Sequence, residues 1–335
     1  MLKALIAAAA ALALLLTPAR STTTTLDLSN GPSLTALKSD IAKSVVSTKT
    51  PNLNTSIPPI VSLTGSNTPI LEAHFPWECQ PSSGSATIPP NASTACAFGD
   101  TTSKTLVLLT GDSQSSIWLA ALNVAGRDLH FKIVYLDEPG CAPWGNPNPP
   151  SFFIYGSITV ATCNVWRHSI ERYAKTLKPK FVILDGKAYP IGKNEDVEAN
   201  ATDFDARLLA SVHAFRATGA KVLILSPLPT YNRFRVGPGY TPSNCLVSVT
   251  PITKCEYPST KLIDPVALKG EESVAHKHLA DLVTITSLMC TTKRCALFVK
   301  ASDGSHLVYF DSWHLNTYYS TWIGRAFTSL IKPAL

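Results

Sequence analysis

From residue 105 onward, short apolar runs alternate with amphipathic stretches, and this alternation limits the folds that the chain can adopt. Uninterrupted apolar runs are typical of strands buried on both faces of a parallel sheet, and the stretches between them suit crossover helices. Strands are predicted at 105–111, 130–136, 180–186, 221–227 and 282–288. Helices are predicted at 115–126, 163–177, 196–218 and 266–280. The pattern therefore predicts an α/β fold, a flavodoxin-like three-layer α/β/α sandwich around a five-stranded parallel sheet.

The last residues depart from this alternation. Residues 295–310 contain two apolar arms around Asp303-Gly304, which predicts a β-hairpin. The apolar residues that follow recur at helical spacing, so a terminal helix is expected to begin near His314.

The N-terminus has the layout of a secretory signal peptide. Lys3 precedes an apolar core from Ala4 to Leu16, and Pro18-Ala19 then interrupts that core. The core is too short to span a bilayer comfortably, although an uncleaved N-terminal anchor stays open as the alternative. Residues 1–21 are therefore interpreted as a signal peptide, and the protein is expected to be secreted or extracytoplasmic, in the cell envelope.

Residues 22–100 differ in composition from the rest of the chain. They are rich in proline and polar residues, and their one clear helical pattern covers 34–45. Such a segment is too rich in proline to form a core alone. It is therefore predicted to be an N-terminal extension that packs on a main domain of residues 101–335.

The eight cysteines predict disulfide bonds, because an even number of cysteines after a signal peptide is typical of an oxidising compartment. They fall into four successive close pairs along the chain. The expected disulfides are Cys79–Cys96, Cys141–Cys163, Cys245–Cys255 and Cys290–Cys295. The sequence contains no C-x-x-C motif, so we expect no metal site.

The charged residues do not indicate a nucleic-acid partner. The formal net charge is +6, and lysine and arginine never occur in a run longer than two. A nucleic-acid-binding surface normally needs a denser stripe of positive charge. We therefore expect no nucleic-acid binding.

The first predicted strand ends at Gly111-Asp112-Ser113. Taken alone, these are ordinary turn and helix-capping residues. A serine at a helix N-terminus would, however, also have backbone N–H groups nearby, which an ester-attacking serine needs for its oxyanion.

Asp311-Ser312-Trp313-His314 is the second motif. A tight turn could bring the carboxylate to the imidazole, as a catalytic base and its orienting acceptor require. Taken alone, Asp311 would more simply cap the last helix. The two motifs together favour catalysis, because Ser113 ends the first strand of a parallel sheet and the Asp–His motif follows its last strand.

These motifs resemble a known family. "VLLTGDSQSSIWLAAL" with "YFDSWHLNTYYSTWIG" resembles the SGNH hydrolases, also called GDSL esterases. More narrowly, the chain resembles SGNH domains fused to bacterial membrane acyltransferases, which acylate cell-surface polysaccharides. The extension before the first strand, "CAPW" followed by a second cysteine, "LSPLPTY" at a strand end and the paired cysteines before the Asp–His motif fit this narrower group.

The resemblance implies an SGNH hydrolase fold and a role for each motif residue. Ser113 would be the nucleophile, His314 the general base and Asp311 the residue that orients it. The oxyanion-hole candidates are the backbone N–H of Ser113, Gly140 and Gly186. Gly186 stands at the glycine position of the family's Gly-x-Asn motif.

Two residues depart from the family pattern. Ala188 stands where Gly-x-Asn has the oxyanion-binding asparagine, so Lys187, Tyr189 or a backbone N–H would have to replace that donor. Gln114 stands where the narrower group usually has histidine.

The resemblance implies an exported serine esterase or acyltransferase that acts on short acyl esters, above all acetyl esters, of cell-envelope carbohydrate. Ser113 would form an acyl-enzyme, and water or a sugar hydroxyl would take the acyl group, with no cofactor. The expected partners are an acylated carbohydrate or other ester substrate and, for transfer, a separately encoded membrane acyltransferase. Ala188 keeps a second interpretation open, a non-catalytic SGNH-like module that binds a glycan or a protein partner.

Overall fold

The structure, a computed structural model, describes the chain in segments. The described residues are 31–49, 51–52, 56–57, 77–81, 86–145, 153–155, 158–188, 201–231, 236, 242, 245–246 and 252–335. The predicted signal peptide, residues 1–21, and Tyr189 lie outside them. No helix within the described segments is long and apolar enough to cross a membrane.

The elements follow the predicted alternation of strands and helices. The α-helices are α1 (Leu34–Ser44), α2 (Ala92–Ala95), α3 (Ser113–Asp128), α4 (Val160–Leu177), α5 (Ala201–Arg216), α6 (Ser259–Leu262), α7 (Pro265–His276), α8 (Thr317–Trp322) and α9 (Gly324–Ile331). The strands are β1 (Ser56–Ile57), β2 (Ala97–Gly99), β3 (Leu106–Gly111), β4 (Lys132–Asp137), β5 (Phe153–Tyr155), β6 (Ile158–Thr159), β7 (Phe181–Asp185), β8 (Lys221–Leu225), β9 (Asp281–Val283), β10 (Phe298–Ala301) and β11 (Gly304–Leu307). Single 3-10 turns cover Trp77–Cys79, Ile252–Lys254, Ile285–Leu288 and Lys332–Ala334.

The central sheet contains the five predicted parallel strands and one strand more. Its order is β2-β4-β3-β7-β8-β9, and β2 pairs antiparallel with β4 while the other neighbours are parallel. Gly111, at the end of β3, pairs with Asp137 of β4 and with Asp185 of β7. The residues that follow β3 therefore emerge at the middle of the carboxyl edge, where open parallel sheets bind their ligands.

The additional strand, β2, covers what would otherwise be an exposed edge of β4. It is three residues long and follows Cys96, which is bonded to Cys79. Residues 97–99 belong to the predicted extension, so this segment contributes directly to the sheet. The division of the chain at residue 100 stays a prediction.

The last strand of the sheet is shorter than predicted. The sequence predicted 282–288, whereas β9 ends at Val283 and a 3-10 turn follows. Val283 pairs with Leu225, the last residue of β8, so no strand partner continues beyond it. The Ser226 side chain instead accepts the N–H of Ile285 at 3.1 Å.

Helices cover both faces of the sheet, which confirms the predicted three-layer α/β/α sandwich. On one face α3 packs against α8 and α9, and on the other α5 packs against α4 and α7. Trp118 of α3 stacks on Phe327 of α9 with ring centroids 5.4 Å apart, and both side chains are buried. The core is continuous around the sheet.

The N-terminal helix α1 packs on the C-terminal part of the domain. It contacts β10 and α9, and the Ser44 hydroxyl accepts the Lys300 N–H at 2.9 Å. Strands β10 and β11 form the predicted hairpin, and β1 adds to it in parallel. Helix α1 and strand β1 therefore both contact elements from the last forty residues of the chain.

The disulfides join the four pairs expected from the sequence spacing. They are Cys79–Cys96, Cys141–Cys163, Cys245–Cys255 and Cys290–Cys295. Together they account for all eight cysteines of the chain. The Cys141–Cys163 disulfide ties the loop after β4 to α4, close to the carboxyl edge of the sheet.

The terminal helix begins later than predicted, at Thr317 instead of near His314. Asn316 caps it, since its side chain accepts the N–H of Tyr318 at 2.9 Å. Asp311 therefore does not cap this helix. The residues from Asp311 to His314 form a separate turn before it.

Candidate active site

Ser113 is placed by the sharp end of β3. Asp112 caps α3 by accepting the Gln114 N–H at 2.8 Å, and Ser113 is the first helical residue. Gly111 is required at this point because a Cβ atom there would lie 1.8 Å from the backbone oxygen of Asp185. The first N–H groups of a helix have no intrahelical acceptor and favour negative charge nearby. The local structure thus exposes a hydroxyl beside backbone donors.

His314 is placed by a tight turn that Asp311 organises. One carboxylate oxygen, Oδ1, accepts the N–H groups of Trp313 and His314 at 2.6 and 2.7 Å. The Ser312 carbonyl accepts the N–H of Tyr231 at 2.8 Å, which ties the turn to the loop after β8. The Asp-x-x-His spacing thus leaves the second carboxylate oxygen for the imidazole.

The three side chains form a continuous chain of contacts. His314 Nδ1 lies 2.8 Å from Asp311 Oδ2, and His314 Nε2 lies 2.9 Å from Ser113 Oγ. An ionised carboxylate can only accept, so Nδ1 donates to Asp311 and Nε2 accepts the Ser113 hydroxyl proton. This is the relation of nucleophile, base and orienting acceptor that nucleophilic catalysis requires.

The electrostatics of the pair favour a charged Asp311. Burial opposes its charge, but attraction to His314 and hydrogen bonds outweigh burial and hold the pKa of Asp311 below its ordinary value. Burial likewise opposes protonation of His314, yet attraction to Asp311 raises the pKa of His314 above its ordinary value. The arrangement therefore stabilises an imidazolium next to Ser113.

Asp112 joins the serine turn to the end of β7. Its Oδ2 accepts the Lys187 N–H at 2.9 Å, and Trp144 Nε1 donates to the Lys187 carbonyl at 3.1 Å. Burial raises the pKa of the Asp112 carboxyl despite these donors. The sequence motif predicted the helix-capping role of Asp112, but its contact with β7 depends on the order of the strands.

Gly186 and Ala188 flank Lys187 at this edge. A Cβ atom on Gly186 would lie 2.7 Å from Cδ of Pro143, so glycine allows the loop after β4 to approach β7 closely. Ala188 is buried and carries no polar side-chain atom. The asparagine donor is therefore absent at this position.

Gly140 lies in a turn of the loop after β4. The Cys141 N–H donates to the Glu138 carbonyl at 2.9 Å, and Gly140 has φ +80°, as the third residue of a type II turn requires. The Glu138 N–H donates to the Gly111 carbonyl at 3.2 Å, which anchors this turn beside the end of β3. Gly140 thus follows the strand next to Ser113.

Two buried acids behind the site were missed by sequence analysis. Asp137 and Asp185 pair with Gly111 at the ends of β4 and β7, and both are buried. Burial raises the pKa of each carboxyl well above its ordinary value, which favours the uncharged form. Their signal in the sequence was an acid directly after an apolar strand, but only the sheet order brings them beside Asp112.

The structure brings Ser113, His314 and Asp311 together, and it places Gly140 and Gly186 in the loops after the two neighbouring strands. The cysteines are all disulfide-bonded, and the Cys141–Cys163 pair lies next to Gly140. Among the described residues, no group of three or more His, Cys, Asp or Glu side chains could hold a metal ion. The candidate site is therefore a serine centre without a metal cluster in the described segments.

Comparisons with known proteins agree with this architecture. The family model described as "SGNH domain (fused to AT3 domains)" matches residues 78–329. No curated protein matches the sequence. The periplasmic domain of a lipopolysaccharide acetyltransferase from Salmonella ser. Paratyphi A is similar in structure, with a TM-score of 0.52 and 13% identity over 80% of this chain and 97% of that chain.

Two further solved structures are more distant. An acetyl xylan esterase, AlAXEase, has a TM-score of 0.36 and 12% identity over 67% of this chain and 98% of that chain. TesA has a TM-score of 0.36 and 16% identity over 69% of this chain and 99% of that chain. The Salmonella structure supports the fold, and the family model covers more than half of the chain, from the first disulfide to the last helix. The chain belongs to the family of SGNH domains that occur fused to AT3 domains.

Proposed function

We propose that the protein is an exported serine esterase or acyltransferase that acts on short acyl esters, above all acetyl esters, of cell-envelope carbohydrate. The observation that carries this proposal is the hydrogen-bonded chain Ser113–His314–Asp311, with 2.9 and 2.8 Å between successive partners. Membership of the SGNH family supports it. The proposal assigns one role to each of the three side chains.

In the first step Ser113 Oγ attacks the carbonyl carbon of the ester, and His314 Nε2 takes the hydroxyl proton. Asp311 stabilises the resulting imidazolium. The tetrahedral intermediate then expels the alcohol oxygen, which takes the proton from His314, and an acyl-Ser113 ester remains. In the second step water or a sugar hydroxyl gives its proton to His314 and attacks the acyl carbon, and Ser113 regains its proton on release.

The oxyanion of each tetrahedral intermediate needs donors. We assign the Ser113 N–H to this role, because it is the first helical N–H and has no intrahelical acceptor. Gly140 and Gly186 are the further candidates through their backbone N–H groups. Because Ala188 supplies no side-chain donor, we expect slower turnover than an intact Gly-x-Asn motif would allow.

The names of the relatives support the proposed substrate class. The family is named for fusion to AT3 domains, and the Salmonella structure is named as a lipopolysaccharide acetyltransferase domain. The Salmonella name favours an acetyl ester of cell-envelope carbohydrate as the substrate. For transfer, a membrane acyltransferase would supply the acyl group. Four disulfides favour an oxidising, extracytoplasmic location, which agrees with a signal peptide at residues 1–21.

The test is acetate release from 4-nitrophenyl acetate and a panel of acetylated oligosaccharides, with and without an acceptor sugar. We expect the wild-type protein to release or transfer acetyl groups, and the folded Ser113→Ala protein to lose that activity. Appearance of acetylated acceptor would identify a transferase, and free acetate alone a hydrolase. A wild-type protein that is no more active than Ser113→Ala on every ester would overturn the proposal.

The buried Ala188 favours a second candidate function, a non-catalytic module that binds a glycan or a protein partner. That function predicts glycan or partner binding by a wild-type protein that turns over no ester. The same panel therefore separates the two candidates, provided that glycan binding is measured in parallel.

A further inference from the structure

Lys187 is held firmly beside the proposed catalytic residues. Its backbone N–H donates to Asp112 Oδ2 at 2.9 Å, and its carbonyl accepts the indole N–H of Trp144 at 3.1 Å. The residues on either side, Gly186 and Ala188, are buried, whereas Lys187 is partly exposed. The backbone is thus fixed at the end of β7, and the partly exposed side chain extends from that fixed point to the Trp313 ring.

The Lys187 ammonium lies on the turn that carries the base. Its Nζ is 3.7 Å from the centroid of the Trp313 ring, within the range of a cation–π contact. The Trp313 backbone N–H donates to Asp311 Oδ1 at 2.6 Å, so the backbone that carries the ring is fixed. The charge of Lys187 also acts electrostatically on His314 and on Asp112. A positive charge therefore lies beside the Ser113–His314 pair.

The position of the Lys187 ammonium relative to His314 indicates which part of the substrate it would contact. In the proposed mechanism His314 Nε2 exchanges a proton with the alcohol oxygen of the ester, so the alcohol portion must lie on the His314 side of Ser113. Trp313 precedes His314 in the same turn. The Trp313 ring and the ammonium above it therefore lie on the side of the alcohol portion.

We propose that Lys187, supported by Trp313, is a specificity-determining residue that selects esters whose alcohol portion carries an anionic group, a carboxylate or a phosphate on the sugar. A fixed cation beside the site attracts an anion and gives a charge-assisted hydrogen bond when that anion binds. The inference rests on the proposed function and deepens it, because it names the chemistry of the carbohydrate that the site prefers.

The experiment compares the kcat/KM of three acetyl esters: a neutral hexoside, a uronic acid glycoside and a hexose phosphate. We expect the wild-type protein to favour at least one anionic ester over the neutral ester by about tenfold, as one charge-assisted contact would give. Lys187→Met should lower that ratio about tenfold, and Lys187→Arg should keep most of it. Comparison of the uronic acid ester with the hexose phosphate ester shows whether the site prefers a carboxylate or a phosphate.

Lys175→Met is the matched control. Lys175 is exposed in the last turn of α4, which leads to the opposite edge of the sheet, and this variant changes the net charge equally. The ratio of kcat/KM for the anionic ester to kcat/KM for the neutral ester should be the same in Lys175→Met as in the wild-type protein. Added salt should lower the wild-type ratio more than that of Lys187→Met, since screening weakens the contact. Equal ratios in folded wild-type and Lys187→Met proteins would overturn the inference.

A binding measurement separates failure of this inference from failure of the proposed function. Methyl glucuronide, methyl glucoside and a methyl hexoside phosphate are titrated into the Ser113→Ala protein and into the Ser113→Ala/Lys187→Met double variant, and binding is followed by NMR. A preference for an anionic glycoside that requires Lys187 supports the inference even where the wild-type protein turns over no ester. Turnover with no Lys187-dependent preference, in either assay, rejects the inference and leaves the proposed function intact.

Discussion

His314 Nε2 lies 2.9 Å from Ser113 Oγ, although 201 residues separate the two in the sequence. The sheet order accounts for this distance. Ser113 follows the central strand β3, and the turn that carries His314 is tied to the loop after β8 by the bond from the Tyr231 N–H to the Ser312 carbonyl. The two residues thus meet because the sheet brings both of their loops to its carboxyl edge.

The pH dependence of kcat/KM should report His314. The proposed base must be neutral, and attraction to Asp311 raises its pKa above the ordinary value of 6.5. Activity should therefore fall as the pH falls through that raised pKa. In Asp311→Asn burial still opposes protonation while the attraction is lost, so the acidic limb should move to lower pH and the plateau should drop by about 10⁴. An unchanged acidic limb in Asp311→Asn would contradict the assigned pair.

Restoring the missing asparagine should accelerate the reaction. Ala188→Asn introduces a side-chain donor where the Gly-x-Asn motif has one, and a single oxyanion donor is worth roughly 10²–10³ in kcat. We expect an increase in kcat of about tenfold or more, since the new side chain must find room at a buried position. Ala188→Val adds similar bulk without a donor and should not raise kcat. If both variants behave alike while folded, the oxyanion site lies elsewhere.

Gly111→Ala should destabilise the fold severely. Its Cβ would lie 1.8 Å from the Asp185 backbone oxygen, so β3 and β7 would have to separate, at a cost of about 3–5 kcal/mol in the free energy of unfolding. Gly219→Ala is the control, because its Cβ meets nothing within 4 Å and only its φ of +88° is unfavourable. That control should lose only about 1–2 kcal/mol. Urea unfolding with intact disulfides compares the two, and equal losses would contradict the close approach of the strands.

The Cys141–Cys163 disulfide should matter for activity beyond its effect on stability. Its sequence separation is 22, and it fixes the loop that contains Gly140. Replacing both cysteines by serine should cost about 3 kcal/mol of unfolding free energy and lower kcat as well. The matched pair Cys79–Cys96, with a separation of 17, should cost a similar free energy with a smaller loss of kcat. Equal fractional losses of kcat would show that the Gly140 loop does not contribute.

Much of this architecture could be predicted from the sequence because its signals are local. The buried parallel strands are continuous apolar runs, and the Gly111-Asp112-Ser113 and Asp311-x-x-His314 motifs each place polar groups within a few residues. The rule that parallel strands share a carboxyl edge was then enough to expect Ser113 near His314. The close spacing of the cysteines likewise allowed the four pairs to be expected.

The remaining features depend on contacts between distant segments. Strand β2 is three residues long and exists because β4 offers it an edge, and β9 ends where its partner β8 ends. The start of α8 depends on the Asn316 cap, while the preceding residues are held by Asp311. The contact between Lys187 and Trp313 joins two loops that no local pattern relates.

The central claim is that Ser113 is an activated nucleophile, and covalent labelling by a fluorophosphonate tests it most directly. The account predicts one adduct per molecule in the intact mass of the wild-type protein, mapped to Ser113 by peptide analysis. It also predicts loss of the adduct in Ser113→Ala and much slower labelling in His314→Ala, with both variants folded by circular dichroism. A folded wild-type protein that is not labelled, or a Ser113→Ala protein that is labelled equally fast, would contradict the account.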